Sequence, residues 1–156
     1  VLIGDTEPAF NGTFSTNVFW KGFSVYALFS YRMGAWVYNT TRASKVEGSD
    51  PQYNADKRVF DDRWKQPGDV AFYKNIADSS RPEQTTRFAE QEYTLTLGSL
   101  NLSYEFGEDV CKSMHVRNMR TGINFTDILR LSTVKIERGT NYLYSQGFEL
   151  FFNVTL

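Results

Sequence analysis

The chain has 156 residues, room for one ordinary domain and too few for two. Seventeen basic against 18 acidic residues leave a net charge of −1, so no sequence-wide positive field exists to hold phosphates and nucleic acid is disfavoured as a partner. A single cysteine, Cys111, forbids an internal disulfide, and a single histidine, His115, excludes sites that need two imidazoles. Aromatic residues make up 16% of the chain, yet mean hydropathy is −0.42 and no run nears the ~18 apolar residues of a spanning helix. The chain opens at Val1 without methionine or a signal peptide, and reads as a piece of something longer.

From about residue 9 to 20, Phe10, Gly12, Phe14, Thr16, Val18 and Trp20 alternate with Asn11, Thr13, Ser15 and Asn17, the period of a strand. Lys21-Gly22 interrupts, and Phe23, Val25, Ala27, Phe29 and Tyr31 resume the pattern over 23–31. A two-residue turn predicts the pairs Trp20–Phe23, Val18–Val25, Thr16–Ala27, Phe14–Phe29 and Gly12–Tyr31, which keeps every apolar-phase residue on one face. The stretch 32–92 then carries 20 of the 35 charged residues, so it is expected to be a large loop, with alternation surviving at most through Trp36 and Tyr38. Within it, Asn54 is placed to cap a short helix bearing Val59, Phe60 and Trp64 on one side and ended by Gln66-Pro67-Gly68.

A third strand is predicted over 93–106, where Tyr93, Leu95 and Leu97 share one phase and Leu100, Leu102, Tyr104 and Phe106 the other. The slip at Gly98-Ser99 predicts a bulge. Gly107 to Met114 reads as a polar turn, 116–126 as a fourth strand, Asp127 to Leu143 as a second loop, and 144–156 as a fifth strand with Phe148, Leu150, Phe152, Val154 and Leu156 in phase.

Five antiparallel strands suit either a soluble sandwich or a membrane barrel. Connection lengths run short, very long, short, long, which places the short turns at one end and the long loops at the other, as in outer-membrane barrels. The strands are longer than the usual ~5–6 residues and reach the ~9–11 of a tilted bilayer crossing. Aromatic side chains gather at both ends: Trp20, Phe23, Tyr104 and Phe106 by the short turns, Tyr31, Tyr93, Tyr142 and Tyr144 by the long loops. The fold expected is therefore all-β, an antiparallel up-and-down transmembrane barrel segment with long extracellular loops. Five strands cannot close a barrel, and open edges are not tolerated in lipid, so further strands are expected upstream.

Several stretches resemble the C-terminal end of SusC/RagA-type TonB-linked outer-membrane transporters of Bacteroidetes. They are Ile3-Gly4-Asp5-Thr6-Glu7-Pro8, Trp20-Lys21-Gly22-Phe23, Arg63-Trp64-Lys65-Gln66-Pro67-Gly68-Asp69, Tyr93 to Tyr104, Arg138-Gly139-Thr140-Asn141-Tyr142 and the closing Phe148–Leu156 run. The resemblance implies about the last five strands of a 22-stranded barrel, a plug domain and TonB box absent from this chain, a SusD-like surface lipoprotein as lid, and oligosaccharide or, in the RagA branch, oligopeptide cargo. It also implies that the final strand, Phe148, Leu150, Phe152, Val154 and Leu156, is the signal read by the barrel-assembly machinery. The family usually ends in phenylalanine, where this chain has Leu156; Leu143 replaces a common proline, and Asn124-Phe125-Thr126 matches only loosely.

Candidate sites follow from these placements. Trp64 and Phe60 could stack on a sugar ring or form a small loop core against Pro67, the commoner arrangement for a tryptophan. Arg63 and Asp69 could touch lid or ligand, although Asp61, Asp62, Arg63, Lys65 and Asp69 fit a solvated surface as well. Asn118, Arg120, Asn124, Glu149 and Asn153 should face the lumen or plug, with Arg120–Glu149 a possible pair. Cys111, His115, Glu108 and Asp109 form a poor metal set, and Asp61-Asp62 or Glu90/Glu92 lack a nucleophile, so no cofactor, metal or enzymatic activity is expected. The N-x-S/T triplets at Asn11, Asn39, Asn101, Asn124 and Asn153 fall partly in mid-strand and read as chance. The reading is an oligosaccharide importer's wall in the bacterial outer membrane; a RagA-like peptide importer and a soluble β-sandwich binding module are the alternatives.

Overall fold

The computed structural model describes residues 3–50, 52–53, 56–136 and 145–156. Five strands form a single antiparallel sheet in the order β1-β2-β3-β4-β5: β1 is Phe10–Trp20, β2 Phe23–Tyr38, β3 Ala89–Glu105, β4 Asn118–Ser132 and β5 Gly147–Thr155. Each strand neighbours the next in sequence, the up-and-down arrangement that hairpin-length and loop connections permit.

The β1–β2 register matches the expected pairs from Trp20↔Phe23 to Gly12↔Tyr31. Its turn places Lys21 at φ 46° and Gly22 at φ 86°, the left-handed pair that a two-residue hairpin of matching twist requires. The bulge falls on β3 at Gly98: Leu28 pairs with Ser99 and Phe29 with Leu97, and the β3–β4 register shifts at the same place. The bulge lets Leu97 and Leu100 share a face although they are an odd three positions apart.

Three strands outrun the expected bounds. β2 continues past Tyr31 to Tyr38 through a second irregularity between Met33 and Ala35, where Gly34 takes φ 83°. β3 begins at Ala89, and β4 continues past Thr126 to Ser132. Asp127, a polar residue in the apolar phase with φ 53°, hides the continuation through Leu129 and Leu131. The expected polar turn after β3 holds one helical turn, α1 (Glu108–Ser113). Tyr142, Tyr144, Leu143 and the Arg138–Tyr142 stretch lie outside the described residues.

Register carries one apolar stripe across all five strands. The rows Phe14–Phe29–Leu97–Leu129 and Val18–Val25–Leu102–Ile123–Leu150 are continuous by pairing. No second layer of described residues covers this stripe: Phe14 is 51% exposed, Val18 55%, Phe148 73% and Leu150 73%. The described residues thus form one sheet and not the two-layer sandwich, whose inner faces would be buried.

The buried apolar cluster lies elsewhere, above the long-loop end of the sheet. Ala43, Val46, Tyr73 and Phe88 are buried together, with Tyr38 and Phe72 packed against them. Residues 39–88 therefore fold back on themselves as a small module, built on a π-helical turn (Thr41–Glu47) and two 3-10 turns (Lys57–Phe60 and Thr86–Phe88).

The polar wall and its crown as the candidate functional site

The face opposite the apolar stripe presents short polar side chains. On β1 and β2 these are Asn11, Thr13, Ser15 and Asn17 beside Ser24 and Ser30, with Arg32 the one charged group at the long-loop end, where it donates to Thr6 O at 2.7 Å. Most of the charges lie on β3 to β5. Asn124 is the direct neighbour of Glu149 and Arg120 of Asn153, so the suggested Arg120–Glu149 pair gives way to other contacts. Arg120 donates to Ser103 Oγ through Nη2 at 2.7 Å and Nε at 3.2 Å. Asn101 donates to Asn124 Oδ1, and Asn124 passes a longer bond to Glu149 Oε2 at 3.4 Å. Asn118 donates to Glu105 at 2.7 Å. Higher on the sheet, Arg130 pairs at 2.9 Å with Glu92, whose side chain is 4% exposed and also accepts from Ser132 Oγ. Asn17, Tyr26, Asn101, Arg120, Asn124 and Glu149 line a shallow open cleft of about 630 Å³ on this face.

Three aromatic rings interrupt the polar face: Phe19, Tyr26 and Phe151. Phe151 has a structural use, since its ring lies over Gly122, its neighbour across β4–β5. Tyr31 covers Gly12 in the same manner on the apolar face. An aromatic ring folded over a glycine restores the packing that the missing side chain leaves open.

The crown is held by arginines interleaved with rings. Arg63 is 8% exposed and donates to the carbonyls of Val59, Val46, Glu47 and Lys74. Arg42 lies 4.6 Å from the Phe72 ring centroid and donates to Tyr73 Oη at 2.8 Å and Glu90 at 2.6 Å. Burial works against its charge, but the bonds to Glu90 and Tyr73 outweigh it and raise its pKa. Arg87 sits 5.0 Å from the Phe88 ring and grips the buried Glu47 carboxylate at 2.8 and 3.0 Å. Glu47, so neutralised, also accepts from Lys74 N.

The four crown residues singled out from sequence therefore separate. Arg63 is an internal brace and not part of a solvated surface. Asp69 accepts from the backbone N–H groups of Lys65 and Gln66 at 3.0 Å and fastens the Gln66-Pro67-Gly68-Asp69 turn. Trp64, 38% exposed, is tied through its backbone N–H to Tyr73 O, while Phe60 is 71% exposed. The expected helix is a single 3-10 turn capped by Asp56, whose carboxylate accepts from Arg58 N at 2.9 Å; Asn54 lies outside the described residues. Val59 is fully buried while Phe60 is exposed, because one short turn points adjacent side chains apart and gives them no shared face. The bracing role of Arg42, Arg63 and Arg87 left no periodic mark in the sequence; only the repeated Arg-aromatic neighbours Arg63-Trp64 and Arg87-Phe88 hint at it.

The side chain and backbone N–H of Arg58 hold the Asp56 carboxyl at a pKa of about 2. A depressed carboxyl stabilises the fold above its unfolded pKa of about 3.9, and that support is lost as pH falls through about 2. An NMR titration of Asp56 is therefore expected to show its midpoint near 2; a midpoint at the ordinary carboxylate value would show the cap is not formed.

A wall with one lipid-compatible face, one polar face and an ordered crown is the class of structure found in β-barrel transporters. No family model matches the sequence, and no curated protein matches it. The fold is similar to chains in solved structures of the RagAB peptide importer. In the closed-closed state the TM-score is 0.63 at 25% identity, covering 83% of this chain and 14% of that chain. In the open-open state the TM-score is 0.61 at 24% identity, covering 81% and 14%. A further structure of the RagAB peptide transporter gives 0.59 at 25% identity, covering 79% and 14%. The chain thus spans 14% of the length of the chains it matches.

Proposed function

We propose that this chain is a section of the wall of a TonB-dependent outer-membrane importer of oligomeric nutrients, roughly its last five strands, working with a SusD-like surface lipoprotein. The observation that carries the reading is the uncovered apolar stripe running across five strands and backed by a polar face. Such a sheet is unstable alone in water, since its stripe would stand in water and both its edges would be unpaired. Closed into a barrel in lipid, it satisfies both. Asn118, Arg120, Asn124, Glu149 and Asn153 then face the lumen or plug, and Phe148, Leu150, Phe152, Val154 and Leu156 face lipid in the strand read by the assembly machinery. At about 3.3 Å per residue the 17 residues of β3 reach about 56 Å. A strand tilted about 45° needs only about 42 Å to cross a ~30 Å hydrocarbon layer, so the upper ends project outward and carry the crown, with Phe60 and Trp64 toward lid or ligand.

The cargo inferred from the sequence resemblance is an oligosaccharide. Likeness to a peptide importer favours the second reading, an oligopeptide, and uptake assays with labelled oligosaccharides and labelled peptides in cells carrying the whole transporter separate the two. The membrane reading has its own test. Cysteines placed at Val18, Phe29 and Leu150 are expected to react with membrane-soluble reagents, and those at Asn17 and Asn153 to be spared. Equal reactivity at both sets overturns the facing and the importer with it.

A further inference from the structure

The apolar stripe does not end with the strands at the short-turn end. Phe23 and Tyr104 rings lie 4.6 Å apart, Tyr104 and Phe106 5.1 Å, and Phe106 leads through Gly107 into α1. Within α1 the residues divide by angle. Val110 and Met114, the latter at the C-cap, are four apart and lie on one flank; Glu108 and Lys112 pair at 2.9 Å on the opposite flank, largely in solvent, and Cys111 lies between the two. Cys111 is 2% exposed and turned into the protein, its thiol directed at Phe106 O. Val110 at 45% and Met114 at 55% are left open.

The side on which the helix docks is marked by Met119. It stands in the apolar-face row, paired with Val154, and is 4% exposed where Val154 is 44%. α1 packs against β4 at this end, so it tucks beneath the apolar stripe and not beneath the polar face. Its open residues then extend the stripe by one further row. We infer that α1 is an interfacial foot: Val110 and Met114 sit in the boundary between acyl chains and headgroups of the leaflet nearer the short turns, while Glu108 and Lys112 stay in water. A short amphipathic helix with its polar pair opposite an apolar edge suits that boundary, and its partner is phospholipid.

The inference rests on the membrane reading above and is tested so that the two can fail separately. The full-length protein carrying this chain, in a Cys111→Ala background, is placed in nanodiscs of phosphatidylethanolamine and phosphatidylglycerol. Single spin labels go at Val110 and Met114, at Glu108 and Lys112, and at Val18 and Leu150. Collision with oxygen, which partitions into lipid, is compared with collision with a water-soluble nickel chelate. A severalfold higher oxygen-to-nickel ratio at 110 and 114 than at 108 and 112 is expected, with 18 and 150 higher still. Water-like values at 110 and 114 beside lipid-like values at 18 and 150 overturn the foot alone, as does shielding of 110 and 114 from both reagents, which would mark a protein contact. Water-like values at 18 and 150 overturn the membrane reading itself.

Discussion

Replacing Arg63 with alanine is expected to unfold the crown while leaving the sheet assembled. Its guanidinium reaches carbonyls on three separate segments, at Val46 and Glu47, at Val59, and at Lys74, the last at 3.1 Å. Truncation leaves these acceptors buried without a donor, each costing about 1–3 kcal/mol before water or rearrangement recovers part of it. A net loss of about 3–5 kcal/mol for the module follows, since the acceptors share one donor group and do not add. Arg63→Lys is expected to rescue little, because an ammonium cannot span the planar fork of acceptors. Limited proteolysis reads the outcome: cleavage within 39–88 should accelerate sharply while the heat-modifiable migration of the folded barrel stays unchanged. A cleavage pattern like that of the unaltered protein would show that Arg63 is not the brace.

The second large effect is expected at Gly122. A Cβ there would lie 2.6 Å from the carbonyl oxygen of Leu102 and 2.5 Å from the Phe151 ring. The ring can turn away; the carbonyl belongs to the neighbouring strand and cannot move without breaking its ladder. Gly122→Val is therefore expected to cost about 3 kcal/mol or more through overpacking, seen as loss of the heat-modifiable folded band. Phe151→Ala, which only uncovers the glycine, should cost about 1 kcal/mol. Combining Gly122→Ala with Phe151→Ala discriminates the two obstacles: slight rescue is expected, and full rescue would show that the ring, not the carbonyl, sets the limit.

Both predictions sit where sequence and structure divide the information differently. Gly122 belongs to a strand whose alternation is legible, yet nothing local announces that Phe151 covers it, because the pairing of β4 with β5 depends on the register between two segments joined by a long loop. Arg63 falls in a run that reads as solvated charge; what engages it are the carbonyls of Val46, Glu47 and Lys74 and the Tyr73 ring, all drawn from ten or more residues away in the chain. The Arg120–Glu149 suggestion failed for the same reason as Gly122 was opaque: the side chains share a face, but register sets Glu149 beside Asn124 and Arg120 beside Asn153.

What the amino-acid order determined by itself was the strand content, the face each residue takes, the Lys21-Gly22 hairpin with its register, and the slip at Gly98. These depend on a two-residue period and on turn geometry, which act over a few neighbouring residues and need no distant partner. Only the tertiary structure decided that β2, β3 and β4 outlast their visible alternation, that the turn after β3 holds a helix packed on β4, and that residues 39–88 close around the buried Arg63. Those features arise from contacts between segments tens of residues apart, where a guanidinium finds carbonyls and rings that no local period brings together.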